Sequence, residues 1–583
     1  MKFTLVVRVV CIILCLSVCP SKGEDITDLV FGNNNNYLPA AFGDFNSDRR
    51  TDLFVVSEDG KTVEVLLSHS EPPYLRPSDT GTLKCSYNGL NIRSVVPGDF
   101  DGDGAMDILI LSLNTSVSPL HQVFISWGNL TSLTCAQEDS PTLSLFGEPL
   151  VFDYNGDMIP DLFGEDFSSR KYWVFGPDRK PPKVIPMPVF TTLPNLKFPS
   201  SHAFIDLNYD LAADLWISTE SGFEIWRRKR NDYAFHSIVS LPPDAKLIGQ
   251  TSFADLNGDG TIEAIVPVCK DVKCYNNAIY IYNFKYKVWT EMDIDFVDLR
   301  GNSWTFKTDS KNISNRFNTI TLRMGDFNLD GYTDFLVTLY NGDKARVTLV
   351  ENMARDEEWE EEGDEVCAYN RMFVPRWNLF DNFGDTVLGA FSDFDDYKDS
   401  VSPDVLLVGM ERDGRHHHLH VYRDMKQSVG FYIKVMITSG RCFRRSCRHH
   451  NTPYGTNPTG PSLKFTIPTQ DMTWRNIYGT QITQTAHTAL QLPYQLFGLG
   501  DNLNYIDEMK VGMVTDRNDT NRITYDIVEL VPTSKIIIIP NPVTDSGYWR
   551  LETYLTALKK NIIISAVVKL GMCICMGVAL ALL

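Results

Sequence analysis

The sequence predicts an all-β protein: a seven-bladed β-propeller, a smaller β-rich domain and one C-terminal transmembrane helix. Three observations predict this arrangement. An acidic pattern recurs through residues 44–404, short β-type apolar runs follow the repeats, and an apolar segment closes the sequence. We therefore expect a signal peptide (1–23), a propeller (24–430), a β-rich domain (431–540), a stalk (541–560) and a transmembrane helix (561–583).

The repeated acidic pattern is the strongest signal for the propeller. Six segments share it and a seventh is longer and degenerate. We name them loops one to seven, at residues 44–52, 99–107, 153–161, 206–214, 255–263, 326–334 and 393–404. Their first aspartates are separated by 55, 54, 53, 49, 71 and 67 residues. This period suits one four-stranded blade, and seven blades could close without an open sheet edge.

The segments that flank the loops have the character of buried strands. Apolar runs of strand length follow six of them, at residues 53–56, 108–111, 215–217, 264–268, 335–339 and 405–408. Such runs, bounded by turn residues, are typical of strands that are covered on both faces. Each loop is therefore predicted to join two strands of a hairpin.

The loops carry oxygen ligands at the spacing of a calcium loop. Acidic or amide side chains stand at positions 1, 3, 5 and 9, and position 7 supplies a backbone carbonyl, as hard cations require. For loops two, five and six the predicted ligands are Asp99, Asp101, Asp103, Ala105, Asp107, Asp255, Asn257, Asp259, Thr261, Glu263, Asp326, Asn328, Asp330, Tyr332 and Asp334. For loops one, three and four they are Asp44, Asn46, Asp48, Asp52, Asp153, Asn155, Asp157, Asp161, Asp206, Asn208, Asp210 and Asp214.

Position 6 ranks the loops as calcium sites. Glycine there permits the positive φ of a tight turn, and Gly104, Gly260 and Gly331 supply it in loops two, five and six. These three loops are predicted to be the best sites. Loop seven has its last acid, Asp404, eleven residues after Asp393, and it could be empty.

Calcium is expected to be structural. The six regular loops carry 19 carboxylates, which repel one another without a cation. An EF-hand is excluded, because position 12 is usually apolar where that motif needs a glutamate, and the flanks are β. A metal-free turn rich in Asp and Asn is the alternative for any single loop, but six loops in register favour metal.

The repeat also resembles a known family. The pattern F-x-D-x-N-x-D-G-x-x-D resembles the FG-GAP repeat of integrin α-subunits. The whole layout, and the run KIIIIPNPVTDSGYWRLETYLT at 535–556, are similar to the T-cell immunomodulatory protein (linkin) family. That resemblance implies a cell-surface glycoprotein in cell adhesion or a receptor or ligand role, with an extracellular or cell-surface protein as partner.

Both ends of the sequence indicate the secretory route. A basic start and an apolar stretch precede small residues at Ser21 and Gly23, as in a signal peptide, although a membrane anchor is an alternative. The segment 561–583 is long enough for a type I span, and it also fits a GPI-anchor signal. The expected location is the cell membrane with an extracellular N-terminal region. Predicted glycosylation sites are Asn114, Asn129, Asn312 and Asn518.

The cysteines fit an oxidising compartment. We pair Cys85 with Cys135, which flank one repeat, and pair the closely spaced Cys269 with Cys274 and Cys442 with Cys447. Cys367 is left over.

Composition and missing motifs exclude several functions. A formal net charge of −19 argues against nucleic acid as a partner. The sequence contains no HExxH, GxSxG, Walker or Rossmann motif, so we expect neither an enzyme nor a small-molecule substrate. The alternatives are a propeller hydrolase and an immunomodulatory ligand shed by a cut within 541–560.

Overall fold

The fold is all-β, as predicted. The computed structural model describes residues 23–113, 120–188, 194–229, 232–307, 319–354, 371–395, 402–411, 416–424, 430–443, 453–468, 474–482, 490–500, 505–515 and 522–555. Within these residues, strands dominate, and the α-helical content is one short helix, α1 (Thr27–Phe31).

Residues 24–423, which we call the repeat region, form a series of antiparallel sheets. The strands are β1 (Glu24–Asp25), β2 (Leu38–Gly43), β3 (Asp52–Val56), β4 (Thr62–Ser68), β5 (Leu75–Pro77), β6 (Lys84–Ser86), β7 (Ile92–Gly98), β8 (Asp107–Leu113), β9 (Leu120–Gly128), β10 (Leu133–Thr134), β11 (Leu143–Phe152), β12 (Asp161–Glu165), β13 (Arg170–Val174), β14 (Lys183–Pro186), β15 (Ala203–Ile205), β16 (Asp214–Thr219), β17 (Gly222–Lys229), β18 (Asp232–Ser240), β19 (Leu247–Ile248), β20 (Ser252–Ala254), β21 (Glu263–Cys269), β22 (Asn277–Asn283), β23 (Val288–Glu291), β24 (Leu322–Gly325), β25 (Asp334–Asn341), β26 (Lys344–Ala354), β27 (Arg371–Arg376), β28 (Thr386–Ser392), β29 (Asp404–Met410) and β30 (His417–Arg423).

Chain order is largely kept within these sheets. They run β2-β3-β4-β5, β7-β8-β9, β11-β12-β13-β14, β15-β16-β17-β18, β19-β21-β22-β23, β24-β25-β26-β27 and β1-β30-β29-β28. Pairing of β9 with β11 joins the second and third of these sets. The short strands β6, β10 and β20 add to β4, β9 and β21.

The apolar runs identified in the sequence lie where burial requires them. All six fall in the second strand of their sheets, in β3, β8, β16, β21, β25 and β29. Every residue of β8 (DILILSL) is buried. A strand covered by neighbouring sheets on both faces has no solvent side, so its sequence does not alternate between apolar and polar residues.

The two ends of the repeat region meet. Leu53 of β3 belongs to the same buried cluster as Val387 of β28 and Leu406 of β29. In addition, β1 pairs with β30, placing Glu24 opposite Arg423. The first sheet therefore packs against the last, and the N-terminal strand completes the last sheet.

Residues 431–555, which we call the C-terminal region, form two sheets packed face to face. Their strands are β31 (Phe431–Ile437), β32 (Ser462–Pro468), β33 (Trp474–Thr480), β34 (Gln495–Gly500), β35 (Ile506–Val514), β36 (Arg522–Leu530), β37 (Ser534–Ile539) and β38 (Arg550–Leu555). The sheet orders are β34-β31-β37-β38 and β33-β32-β35-β36. Ile433 and Ile536 from one sheet meet Phe465 and Met509 from the other in a buried core.

The predicted stalk is partly a strand of this region. β38 pairs with β37 from Ser534↔Leu555 to Ile539↔Arg550, so the C-terminal region reaches at least residue 555 and does not end at 540. The sequence was misleading because Pro540 and Pro542 suggest a linker. In addition, β38 is an edge strand with mostly exposed side chains and lacks an apolar pattern.

Two predicted segments, the signal peptide and the transmembrane helix, concern the ends of the sequence that flank the residues the structure describes. Among the residues it describes, no helix is both long and apolar enough to span a bilayer. The predicted span at 561–583, and the predicted signal peptide up to residue 22, lie outside the described residues.

Candidate functional site

Each acidic loop connects the first strand of its sheet to the second, immediately before the buried central strand. Because the sheets share one strand order, the loops lie at one end of the repeat region. Neighbouring loops also touch: the Tyr209 hydroxyl donates to the carbonyl of Ile262 at 3.1 Å. The Thr333 hydroxyl donates to the carbonyl of Asp255 at 3.3 Å. Loops four to six therefore adjoin one another at this end of the repeat region, which we call the acidic face.

The six regular loops share one hydrogen-bond pattern, which loop two illustrates. The Asp99 carboxylate accepts the backbone N–H of Asp103 and of Gly104, both at 2.9 Å. Asp101 accepts the Asp103 N–H at 3.0 Å, and Asp103 accepts the N–H of Ala105 at 2.9 Å. In all six loops the position 1 carboxylate accepts the position 6 N–H, at 2.6 to 2.9 Å. The backbone thus turns the carboxylates toward the inside of each turn.

Two positions in each loop have a left-handed backbone. Position 6 has positive φ in all six loops, including those where a larger residue replaces glycine: Arg49 (73°), Met158 (64°) and Leu211 (66°). Position 4 also has positive φ throughout, which the sequence analysis did not anticipate. Ser47 and Leu329, for example, have φ of 57°. A non-glycine residue in this conformation costs about 1–2 kcal/mol, so the loop geometry is kept against local strain.

The acid at position 9 accepts hydrogen bonds from its own loop and from the end of the third strand. Asp107 accepts the N–H of Phe100 at 2.9 Å with one oxygen and the N–H of Gly128, at the end of β9, at 2.8 Å with the other. Asp52, Asp161 and Asp334 make the equivalent pair of bonds in their loops. This acid therefore organises the sheet as well as facing the loop interior.

Burial raises the pKa values of the acids at positions 1 and 9 of the six regular loops. Burial raises the pKa of Asp99 to about 7 and that of Asp206 to about 6. Burial, followed by the charge of Asp255, raises the pKa of Glu263 to about 9. The pKa of Asp107 lies well above its usual value for the same reasons, burial first and then the charge of Asp99. Such groups are stabilised either by a proton or by a cation.

The residues fit a calcium ion most directly in loop two. Carboxylate oxygens of Asp99, Asp101 and Asp107 lie within 4.8 Å of one another. Two oxygens on one Ca²⁺, each about 2.3–2.6 Å from it, are at most ~5 Å apart. In loops six and four, Asp326 Oδ1 and Asp214 Oδ2 are buried, and no residue that the structure describes donates a hydrogen bond to them. Those two oxygens remain available to a metal.

Loop seven has a different chemistry. The structure describes its residues 393–395 and 402–404. Arg423, at the end of β30, forms ion pairs with Asp395 at 2.8 Å and with Asp404 at 2.7 Å. Burial raises the pKa of Asp404, and the hydrogen bond and charge of Arg423 oppose that rise. A protein cation thus stands beside the acids of this loop.

The C-terminal region covers the acidic face and donates hydrogen bonds to it. The Tyr454 hydroxyl donates to Asp44 Oδ2 at 2.8 Å. The Tyr478 hydroxyl donates to Asp206, and the backbone N–H of Gly498 donates to Asp326 Oδ2 at 3.1 Å. Position 1 carboxylates of loops one, four and six therefore have a partner from the C-terminal region.

Basic side chains of the C-terminal region contact loop carbonyls. Arg475 donates to the carbonyl of Asp330 at 3.2 Å, and Lys535 donates to the carbonyl of Arg49 at 2.7 Å. Arg441 reaches loops two and three, and Arg522 reaches loop four. These basic residues were not predicted from the sequence. One sign of the contact was present: β31 (FYIKVMI) has no polar face, although it is the first strand of the predicted β-rich domain.

The predicted ligands of loops one to six all lie within the described residues, as do most of the predicted disulfide cysteines. Cys85 is bonded to Cys135, and Cys269 to Cys274. Cys442 is disulfide-bonded, whereas its predicted partner Cys447 and the unassigned Cys367 lie outside the described residues. Asn129 is exposed in the turn after β9, and Asn114, Asn312 and Asn518 lie outside the described residues.

Comparison with known families and proteins agrees with both regions. A model of the FG-GAP-like repeat matches residues 44–110, which contain loops one and two. A model described as "ITFG1, C2 domain" matches residues 453–554, including β38. Among solved structures, a dihydro-heme d1 dehydrogenase NirN in complex with DHE covers 70% of this chain and 72% of its own, at 12% identity. Its TM-score of 0.35 is too low to carry an argument.

Curated relatives match along almost the whole chain. The T-cell immunomodulatory protein of Homo sapiens is 32% identical over 566 residues, covering 94% of this chain and 89% of the relative. Protein linkin of Caenorhabditis elegans is 25% identical, covering 88% of this chain and 86% of its own. At this identity and coverage the relationship is clear, and the chain belongs to the T-cell immunomodulatory protein family.

Proposed function

We propose that this chain is a cell-surface glycoprotein in which a calcium-braced, seven-bladed β-propeller acts in cell adhesion or as a receptor or ligand. The observation that carries the proposal is the acidic face. Six loops of one geometry lie side by side on it, and the protein's own C-terminal region covers it.

The sheet order supports a closed propeller. Each acidic loop lies within its own set of consecutive antiparallel strands, and the first and last sets share a buried cluster. β1 covers the edge of β30, and the last sheet then ends on a strand of two residues, which offers little edge for pairing with other chains.

Calcium would be held by the side chains of positions 1, 3, 5 and 9 and by the carbonyl of position 7. The oxygen-only donor set and the close carboxylates of loop two support this assignment. When bound, the ion supplies positive charge and no reaction chemistry. Its function is to hold each turn and, through it, the hairpin of the blade.

A partner would bind at the opposite face of the propeller, because the C-terminal region occupies the acidic face. Turns between second and third strands lie at that opposite end. Three of their apolar side chains are largely exposed: Phe167 (71%), Val272 (78%) and Tyr275 (75%). Aromatic side chains are enriched at protein interfaces, so these turns are the proposed contact surface.

Aggregation of cells that display the full-length chain tests the proposal. We expect aggregation in millimolar calcium and dispersal in EDTA. Joint substitution of Phe167→Ser and Tyr275→Ser should abolish it, whereas Tyr505→Ser, at an exposed site in the C-terminal region, should not. Absence of aggregation by correctly displayed protein would contradict adhesion between like molecules, and screening for binding to other cells would then follow.

We also propose that the chain is not an enzyme. A cavity of about 220 Å³ lies between the two regions. Its His202 accepts the backbone N–H of Ser218 at Nδ1, at 3.1 Å, and burial lowers its pKa to about 3. Such an imidazole is a weak base.

An immunomodulatory ligand that is shed from the membrane is the other alternative. The appearance of the cleaved chain in culture medium would reveal such shedding.

A further inference from the structure

The first strand of the C-terminal region is buried on both faces. Alternate residues of β31, such as Ile433 and Val435, enter the core between the two sheets of that region. The other face is directed at the repeat region, where Tyr432 packs on Leu329 of loop six. Lys434 lies on this second face and is only 3% exposed. A charged side chain in this position needs a specific partner.

Loop seven provides that partner. The Nζ atom of Lys434 lies 3.0 Å from Asp393 Oδ2, and the side chains of both residues are almost completely buried. The ammonium group also lies 4.1 Å from the centroid of the Tyr494 ring, a favourable position for a cation. Lys434 is therefore held by the repeat region and by its own region together.

Arg423 neutralises the rest of the loop. Its Nη1 lies 2.8 Å from Asp395 Oδ2, and its Nε and Nη2 bond the two oxygens of Asp404 at 2.7 and 2.9 Å. The acids at the start, the third position and the end of loop seven thus all contact a guanidinium or an ammonium group. In loop two the described ion pair is a different one: Arg179, whose side chain is 46% exposed, contacts Asp101 at 2.8 Å.

We propose that loop seven is a metal-independent anchor for the C-terminal region, in which Lys434 and Arg423 replace the cation that the other loops take from solution. The contrast with the other loops rests on the calcium sites of the proposed function, whereas the anchor itself does not. When calcium is removed, contacts over loops one to six weaken and the contact at loop seven persists. The C-terminal region then stays attached to the repeat region through loop seven, in addition to the polypeptide chain that links the two regions.

Hydroxyl-radical footprinting of the full-length chain by mass spectrometry tests this proposal. Interface tyrosines report separation of the regions: Tyr478 over loop four, Tyr432 on loop six and Tyr494 beside Lys434 at loop seven. Tyr172 and Tyr233, which are buried within the repeat region, report unfolding. For the native chain in EDTA we expect Tyr478 and Tyr432 to become more reactive while Tyr494 stays protected.

The decisive variant is Lys434→Met. In EDTA we expect it to increase the reactivity of Tyr494 at least tenfold, with Tyr172 still protected. Lys535→Met is the matched control. Lys535 is the register partner of Lys434 on β37, is only 8% exposed and donates to a carbonyl of loop one. It should leave Tyr494 protected. Equal reactivity of Tyr494 in the native chain and in Lys434→Met would overturn the proposal.

A second set of variants tests the proposal if Lys434→Met unfolds. In it, the charges of Lys434 and Asp393 are removed separately and together. Asp393→Asn alone should release the C-terminal region in EDTA, and the double variant Lys434→Met with Asp393→Asn should be better protected than either single variant. A double variant as reactive as the sum of the singles would show that the two residues are not coupled, and would refute the anchor. If EDTA changes no reporter in the native chain, the calcium proposal fails, and the same variants in plain buffer still test the anchor.

Discussion

Loops one to six and loop seven bring carboxylates together beside different neighbours. In loop two, four carboxylates stand within nine residues, and three of them bring oxygens to distances that one calcium ion can bridge. In loop seven the acids are spread over twelve residues and contact Arg423 and Lys434. The comparison teaches that one acidic repeat can be adapted either to the proposed calcium ion or to basic side chains of the protein itself.

Removal of calcium should give the largest effect. At 1 mM calcium, a site with a dissociation constant of ~10⁻⁴ M stabilises the folded chain by about 1.4 kcal/mol, and six such sites by roughly 8 kcal/mol. We expect the thermal unfolding temperature of the full chain to fall markedly in EDTA, as followed by circular dichroism. Magnesium at the same concentration is the control and should restore little, because it requires a smaller octahedral site. Identical unfolding in calcium and EDTA would remove the distinction between the loops.

The next effect concerns the contact between loop two and the C-terminal region. A Cβ added at Gly104, where φ is +85°, would lie 2.7 Å from a backbone carbon of Cys442. Gly104→Ala should therefore cost about 2–5 kcal/mol, from backbone strain and overpacking together. Gly342→Ala is the matched control: its φ is +62° and its surroundings are open, so only about 1–2 kcal/mol is expected.

Urea unfolding of both glycine variants measures that difference. A cost for Gly104→Ala no greater than for Gly342→Ala would mean that the C-terminal region does not press on loop two in solution.

A smaller effect separates the regular loops from one another. Joint substitution of Asp99 and Asp103 by Ala should reduce the calcium-dependent part of the stability more than joint substitution of Asp44 and Asp48. Loop one must hold Arg49 at a φ of 73°, and the side chain of Arg49 is engaged by Glu552 at 2.8 Å. The quantity to compare is the stability difference between calcium and EDTA for each variant. Equal losses would refute the ranking of loop two above loop one.

Much of the fold could be predicted because its determinants are local. The loop spacing and the buried runs depend on neighbouring residues, and the residues predicted to ligate one ion belong to one loop. The glycines at position 6 predicted a positive φ at that position. The positive φ at position 4 was not predicted, because Tyr209 and Leu329 adopt it without being glycine.

The cover over the acidic face could not be predicted. It depends on contacts between residues hundreds of positions apart, such as Tyr454 with Asp44. Lys434 could be recognised as unusual, a lysine within an apolar strand, but its partner Asp393 is set by how the two regions dock. The strand β38 was missed for a similar reason, since an exposed edge strand is defined by its pairing and not by its own composition.

Crystal diffraction at a wavelength where calcium scatters anomalously tests the central claim most directly. The account predicts anomalous peaks among the carboxylates of loops two, five and six, and no peak between Asp393 and Asp404, where Lys434 and Arg423 lie. A peak in loop seven, or the absence of peaks from all regular loops in calcium-grown crystals, would contradict it.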